Sequence, residues 1–352
     1  SGSTPTPGVS GSTAHFSSSV GHPSLAGTVS GSEISGSDYR PWDKIGSIHG
    51  MTAYTGSLAV WSAGGNMILA RYELAGAGTQ DAALAFGGSG SAARHDSTEE
   101  YNGSTWAAGG ALIIAKKALV GLGTQNAALT HGGTSASPNG CTSTAEEYNG
   151  TAWYGVASHG ALGGTMHGKG APQSTQNAAL SVLNATGTSI SSPVNNAMHY
   201  NGTTWSVGGV PPFVAARGAA AGNENATLAF GGMIAPSYGI TCSQKYDGST
   251  WSVAAAMNVA NGCGGGGGSQ NDAIKFGGRC YVFPVQDCTE RYDGTAWSNA
   301  ATMPAAVVSH TGAGSGGNQA SIGGAHHAAV YPGVAPFNAT AVTSHFDAGY
   351  TN

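Results

Sequence analysis

Charged residues are scarce. They form 8% of this 352-residue chain, against about a quarter in an ordinary globular protein. The twelve Lys and Arg are scattered, which excludes the basic clusters that a nucleic-acid partner requires. A net charge of −5 is mild and selects no partner by sign. No apolar run approaches the roughly 18 residues of a membrane span. The five cysteines include no Cys-x-x-Cys pair, so a zinc site of that type is unsupported. A Gly-x-Ser-x-Gly elbow on a strand-to-helix turn is missing, and so is a phosphate loop ending in Gly-Lys-Ser/Thr. The Gly-X-Y register of collagen is absent, as is the Ala, Glu, Lys and Leu richness of a coiled coil.

Glycine is plentiful, at 59 residues. With low charge, that composition points toward disorder. Disorder, however, normally brings few aromatics, and this chain has seven Trp, thirteen Tyr and eight Phe. Most of the Trp are regularly spaced. Trp61, Trp106, Trp153, Trp205, Trp251 and Trp297 recur at intervals of 45–52 residues. From Trp106 on, each ends one motif: Tyr101-Asn-Gly-Ser-Thr-Trp106, then the same pattern from Tyr148, Tyr200, Tyr246 and Tyr292, with Asp for Asn in the last two. Asn-Gly and Asp-Gly are strong hairpin signals, and a type I′ turn is expected. Each Tyr should end one strand and each Trp should start the next.

Between successive Trp residues lies an apolar strand ending in a Gly pair, as in Ala82-Ala-Leu-Ala-Phe-Gly-Gly88. The third repeat departs, with Leu183-Asn184 at that place. Upstream comes a Gly/Ala-rich stretch such as 74–78, then a turn such as Thr79-Gln80. Each repeat therefore reads as four strands, the size of a propeller blade. The order Gly-Gly, Tyr, Trp resembles the kelch repeat over residues 55–350. The run 264–268, five glycines, reads as an innermost strand crowded against the channel; a loose loop is the alternative.

The expected fold is all-β: a six-bladed kelch-type propeller over 54–352, preceded by a Ser/Gly/Pro-rich extended arm over 1–53. Its last blade takes three strands from 305–349 and its fourth from 55–64, which removes the exposed edge. The arm shows neither the charged start nor the apolar core of a secretion signal. It has no core of its own, so docking on a neighbour is preferred over packing on its own ring. Tyr39, Arg40 and Trp42 are its expected anchor.

Chemistry is thin. Cys280 and Cys288 flank a short loop and leave two readings open, a disulfide in an oxidising setting or two free thiols. Kelch propellers include copper oxidases, but the twelve His are dispersed and no metal or other cofactor is expected. The adjacent His326-His327 is expected in a loop, as a contact pair. The carboxylates fall largely within the repeat, as in Glu99-Glu100 and Glu146-Glu147, and yield no acid/base couple for a glycosidase.

What remains is surface. The connections after strand two, roughly 89–96, 134–143, 184–195, 233–241, 279–287 and 325–341, vary most between repeats. Variable loops on a rigid scaffold suit recognition. Tyr238, Tyr281, Phe283, His326, His327, Tyr331 and Phe337 are the candidate binding residues; the alternative is that each covers its own blade. Segments such as 70–80 and 97–106 resemble kelch-like proteins of aquatic bacteriophages. The resemblance implies a non-enzymatic virion protein, a tail-fibre, attachment or capsid-decoration component. Its partners would be other virion proteins, further copies of itself, or a host-surface glycan. A secreted carbohydrate-binding propeller and a galactose-oxidase-like or glycan-processing enzyme are the rivals.

Overall fold

The computed structural model describes residues 59–347 apart from 91–92, 137–139, 160–164, 187–192, 195, 235–237, 280–284, 316–317, 324, 328–336 and 340. It also pairs two dipeptides, His15–Phe16 with Leu25–Ala26. Contacts group residues 58–349 into one compact unit and 1–57 with 350–352 into another. The expected arm anchor, Tyr39, Arg40 and Trp42, lies outside the described residues.

The larger unit holds six four-stranded antiparallel sheets. The first comprises Ala75–Gly78, Ala83–Phe86, Thr98–Tyr101 and Trp106–Ala108, in that spatial order. The innermost strands of the other five are Val120–Thr124, Lys169–Gly170, Ala219–Asn223, Gly265–Ser269 and Thr311–Ser315. Each innermost strand touches the next, and the sixth touches the first. The sheets are therefore blades around a closed ring. In the sixth blade the outermost strand is Val60–Ala63, paired with Thr343–Asp347 so that Trp61 faces Phe346. The chain closes the ring with its own beginning, as its two half-motifs require.

Glycine has a steric task at the waist. A Cβ on Gly121 would lie 2.8 Å from the Gly76 carbonyl oxygen of the blade before it, and one on Gly170 2.8 Å from that of Gly121. Backbones approach too closely for side chains. Residues 265–269 are accordingly a paired strand rather than a loose loop.

The core lies between blades. Phe86 and Leu84 of the first blade pack with Tyr148 and Trp153 of the second, all buried. The same pattern joins Phe230 to Trp297 and Phe276 to Trp61. Edge-on ring contacts at 4.8–5.2 Å join these three pairs.

The hairpin differs from a type I′ turn. Four residues separate the paired Tyr101 and Trp106, and in that connection only Gly103 has positive φ. Asn102 Oδ1 instead accepts from the backbone N–H groups of Ser104 and Thr105, at 3.0 and 2.9 Å. Asp247 does the same for Ser249 and Thr250. The motif needs a short side-chain oxygen, which Asn and Asp both supply.

Candidate functional site

Strand one and strand two of each blade are antiparallel. The segment entering strand one and the segment leaving strand two therefore share one face of the ring. On that face every blade carries a small extra sheet or bridge. Thr134–Ser135 pairs with Lys116–Lys117 and Gly140–Cys141. Met233–Ile234 pairs with Tyr238–Gly239, and Ala325–His327 with Phe337–Ala339. Ala185–Thr186 pairs with Thr165–Met166. In the first and fifth blades single bridges do the work, Ser89 to Tyr72 and Arg94, Arg279 to Gly262 and Val285. The variable connections thus share a common hairpin base.

Several candidate binding residues belong to this tier. The backbones of Tyr238, His326, His327 and Phe337 lie in its short strands. This corrects the expectation of a loop for His326-His327: the two residues pair with Asn338 and Phe337. Tyr281, Phe283, Tyr331 and Cys280 lie outside the described residues. Cys288 is a free thiol with Lys275 Nζ 2.9 Å away.

The carboxylate pairs of the repeat are committed to structure. Glu99 is buried, accepts from the Ile68 and Leu69 N–H groups, and pairs with Arg71 at 3.1 Å. Glu146 and Glu290 repeat this with Lys116 and Lys275. The second members face the next blade: Glu100 accepts from the Tyr148 hydroxyl and Glu147 from that of Tyr200.

At the centre of the loop face the six blades meet in a second ring. Glu73, Ala118, His167, Arg217, Cys263 and Ser309 occupy one equivalent place, just before strand one. All six have φ between 52° and 61°. Each donates its N–H to the carbonyl of the preceding one: Ala118 to Glu73, His167 to Ala118, Arg217 to His167, Cys263 to Arg217, Ser309 to Cys263 and Glu73 to Ser309, at 2.7–3.1 Å. The cycle is closed. A left-handed backbone costs a non-glycine residue about 1–2 kcal/mol, so six in a circle mark a place where the fold tolerates strain.

Their side chains line a central mouth of about 40 Å³, together with Lys169 and His310. Glu73 pairs with Lys117 at 2.8 Å and with Arg217 at 3.3 Å. Arg217 also reaches His167 Nε2 at 2.6 Å and Cys263 Sγ at 3.6 Å. Burial alone would raise the Glu73 carboxyl; the charges facing it, Arg217 and Lys117 among them, hold it at about 2. Burial foremost, then the Arg217 charge, lowers His167 to about 3. Burial would lower Arg217, but Cys263 and Glu73 outweigh it and keep the guanidinium above its ordinary value. At neutral pH the mouth therefore holds a carboxylate, a neutral imidazole and fixed cations. Among the described residues no group of three or more His, Cys, Asp or Glu is gathered as a metal-ligand set.

Sequence reading missed this cluster. Its signal was available: aligned on the waist position of each repeat, which is Gly in five copies and Ala220 in the fourth, these are the residues three places upstream, and they differ in every copy.

No protein-family model matches the chain, and no curated protein matches it. Solved structures do. One of them, YjhT, a kelch-type propeller protein, is 13% identical with a TM-score of 0.65, over 79% of this chain and 95% of that one. At that identity the likeness concerns the fold alone: this chain is an all-β propeller.

Proposed function

We propose that this protein is a non-enzymatic structural component of a bacteriophage virion, whose propeller displays its loop face for host-surface recognition or particle assembly. The carrying observation is the contrast between the two faces. Every blade raises an extra hairpin base on one face, each with a different sequence above it. On the opposite face the Tyr-to-Trp turns repeat with one length and one bonding pattern. A rigid ring with one variable face is built to recognise something. The likeness of the repeat to phage kelch proteins supplies the virion setting, and residues 1–53 would dock the ring on the particle.

Purified particles test this. Mass spectrometry should find the chain in fixed stoichiometry with the other virion proteins, and an antibody raised against residues 59–347 should label intact particles. A chain found only free in the medium, and retained on a glycan array, would replace this reading with a secreted carbohydrate-binding propeller.

A further inference from the structure

The mouth carries more positive charge than it neutralises. One carboxylate, Glu73, serves two cations, Lys117 and Arg217. Lys169 has no ion-pair or hydrogen-bond partner among the described residues. Protein surrounds it, yet it is only half-buried because part of its surface opens to the channel. It stands where the mouth meets the waist and lines both. No carboxylate among the described residues pairs with it. Among the described residues Glu73 is the only acidic one lining the mouth, and His167 and His310 are both neutral at pH 7, with burial first among the causes that hold each at about 3. Burial lowers Lys169 as well, and the Arg217 charge adds to this, while Cys263 opposes it. An ammonium that is partly desolvated and has no ion-pair partner is costly to fold around.

We propose that this mouth is a binding site for a small monocarboxylate, which takes Lys169 Nζ as its charge partner. A single negative charge balances Lys169, whereas a dianion would need a second free cation, and Lys117 and Arg217 are already engaged by Glu73. The volume of about 40 Å³ is room for about three waters at ~10–15 Å³ each. That suits an acetate-sized ion and leaves out a sugar or a peptide. A carboxylate has two acceptor oxygens: one meets Lys169 on the third blade, and the other is free for the hydroxyl of Ser309, which lines the same cavity from the sixth. The waist below adds only Thr311 as a further polar side chain, among glycine, alanine, leucine and proline. The ion is thus stopped at the mouth by lack of partners beneath it.

Acetate is the probe, titrated into the full chain against chloride at constant ionic strength. Ligand binding to the folded state raises the unfolding midpoint, so the wild type should show a saturable rise with acetate beyond that with chloride. Ligand-observed NMR should show the acetate methyl signal broadening in parallel. Lys169→Met should bind acetate about tenfold more weakly or worse. It should still fold, and be more stable than wild type without acetate, because a desolvated charge is gone. Lys245→Gln, a cation remote from the mouth, should respond to acetate as the wild type does. No acetate effect beyond chloride in the wild type would overturn the proposal. An undiminished effect in Lys169→Met, or an equal loss in Lys245→Gln, would overturn it too.

Discussion

Five of the six repeat tryptophans donate their indole N–H to the blade before their own. Trp153 Nε1 reaches the Thr98 hydroxyl at 2.9 Å, Trp106 reaches Thr343 at 3.0 Å, Trp61 reaches Thr289 at 3.0 Å and Trp297 reaches Ser243 at 3.2 Å. In each case the acceptor opens the third strand of the preceding blade. Two repeats carry alanine there. Trp205, opposite Ala145, turns to the Ala157 carbonyl at 2.8 Å. Trp251, opposite Ala197, has no partner for its buried Nε1. A buried donor without a partner costs about 1–3 kcal/mol. Ala197→Thr should therefore raise stability by roughly 1 kcal/mol, read as a higher urea midpoint with an unchanged slope. Ala145 marks a junction with less to gain, because the Ala157 carbonyl already satisfies Trp205. An unchanged or lowered midpoint for Ala197→Thr would refute the argument.

The element that joins blades is less obvious than the tryptophan. Sequence reading took Thr79-Gln80 and its counterparts, Thr124-Gln125 among them, as turns and no more. The structure makes the glutamine a clamp: Gln125 Nε2 donates to the Ala83 and Tyr101 carbonyls of the preceding blade, at 3.0 and 2.6 Å. Gln176 and Gln270 repeat this, and Gln80 reaches Phe346 across the closing blade. The fourth blade has Asn223-Glu224-Asn225 at its turn and lacks the clamp. Its junction with the third blade is therefore short of both the glutamine and the tryptophan bond. Gln125→Ala should cost roughly 1–3 kcal/mol, the net worth of two hydrogen bonds, and amide exchange should quicken first along Ala83–Phe86 and Thr98–Tyr101. The one lapse in the Gly pairs is conformationally silent. Leu183 adopts φ 55°, close to Gly87 at 65° and Gly277 at 58°, so the blade keeps its shape at the expense of strain.

For the whole molecule, burial of histidine sets the acid limit. His131, His159, His167 and His310 are all lowered, with burial the largest cause; His159 stands at about 4, His167 and His310 at about 3. Unfolding would return each to its ordinary value of 6.5. Between pH 6.5 and about 3 the unfolded chain thus binds more protons than the folded one, so stability falls as pH falls. Each histidine contributes at most about 1.4 kcal/mol per pH unit. Glu73, at about 2, acts in the same direction only below the ordinary carboxylate range. His131 fills the slot that Phe86, Phe230 and Phe276 fill in other blades, against Trp205 at 4.6 Å. His131→Phe should keep the fold and make the loss of midpoint between pH 7 and pH 4 shallower, by about one proton's share. An equally steep profile would count against this account.

The blade was legible in the chain because its signals are local. A Gly pair, a Tyr, a turn closed by Asn or Asp, and a Trp are each read within a few residues, and their recurrence told the strand order, the blade count and even the closing strand. Turn chemistry was only half legible, since Asn-Gly looks the same whether the side chain or the backbone closes the loop. The mouth was legible only as a column of dissimilar residues, three places before the waist position of each repeat. Glu73, His167, Arg217 and Cys263 come from four different repeats, with Lys169 two residues after His167, and no pattern within one repeat says that they meet. Ring closure brings them around one cavity, where Arg217 meets Glu73, His167 and Cys263 while Lys169 is left without a partner among the described residues. Sequence alone therefore determined the repeating unit, because that unit is made by neighbours along the chain. Tertiary structure decided the site, because the site is made by neighbours across the ring.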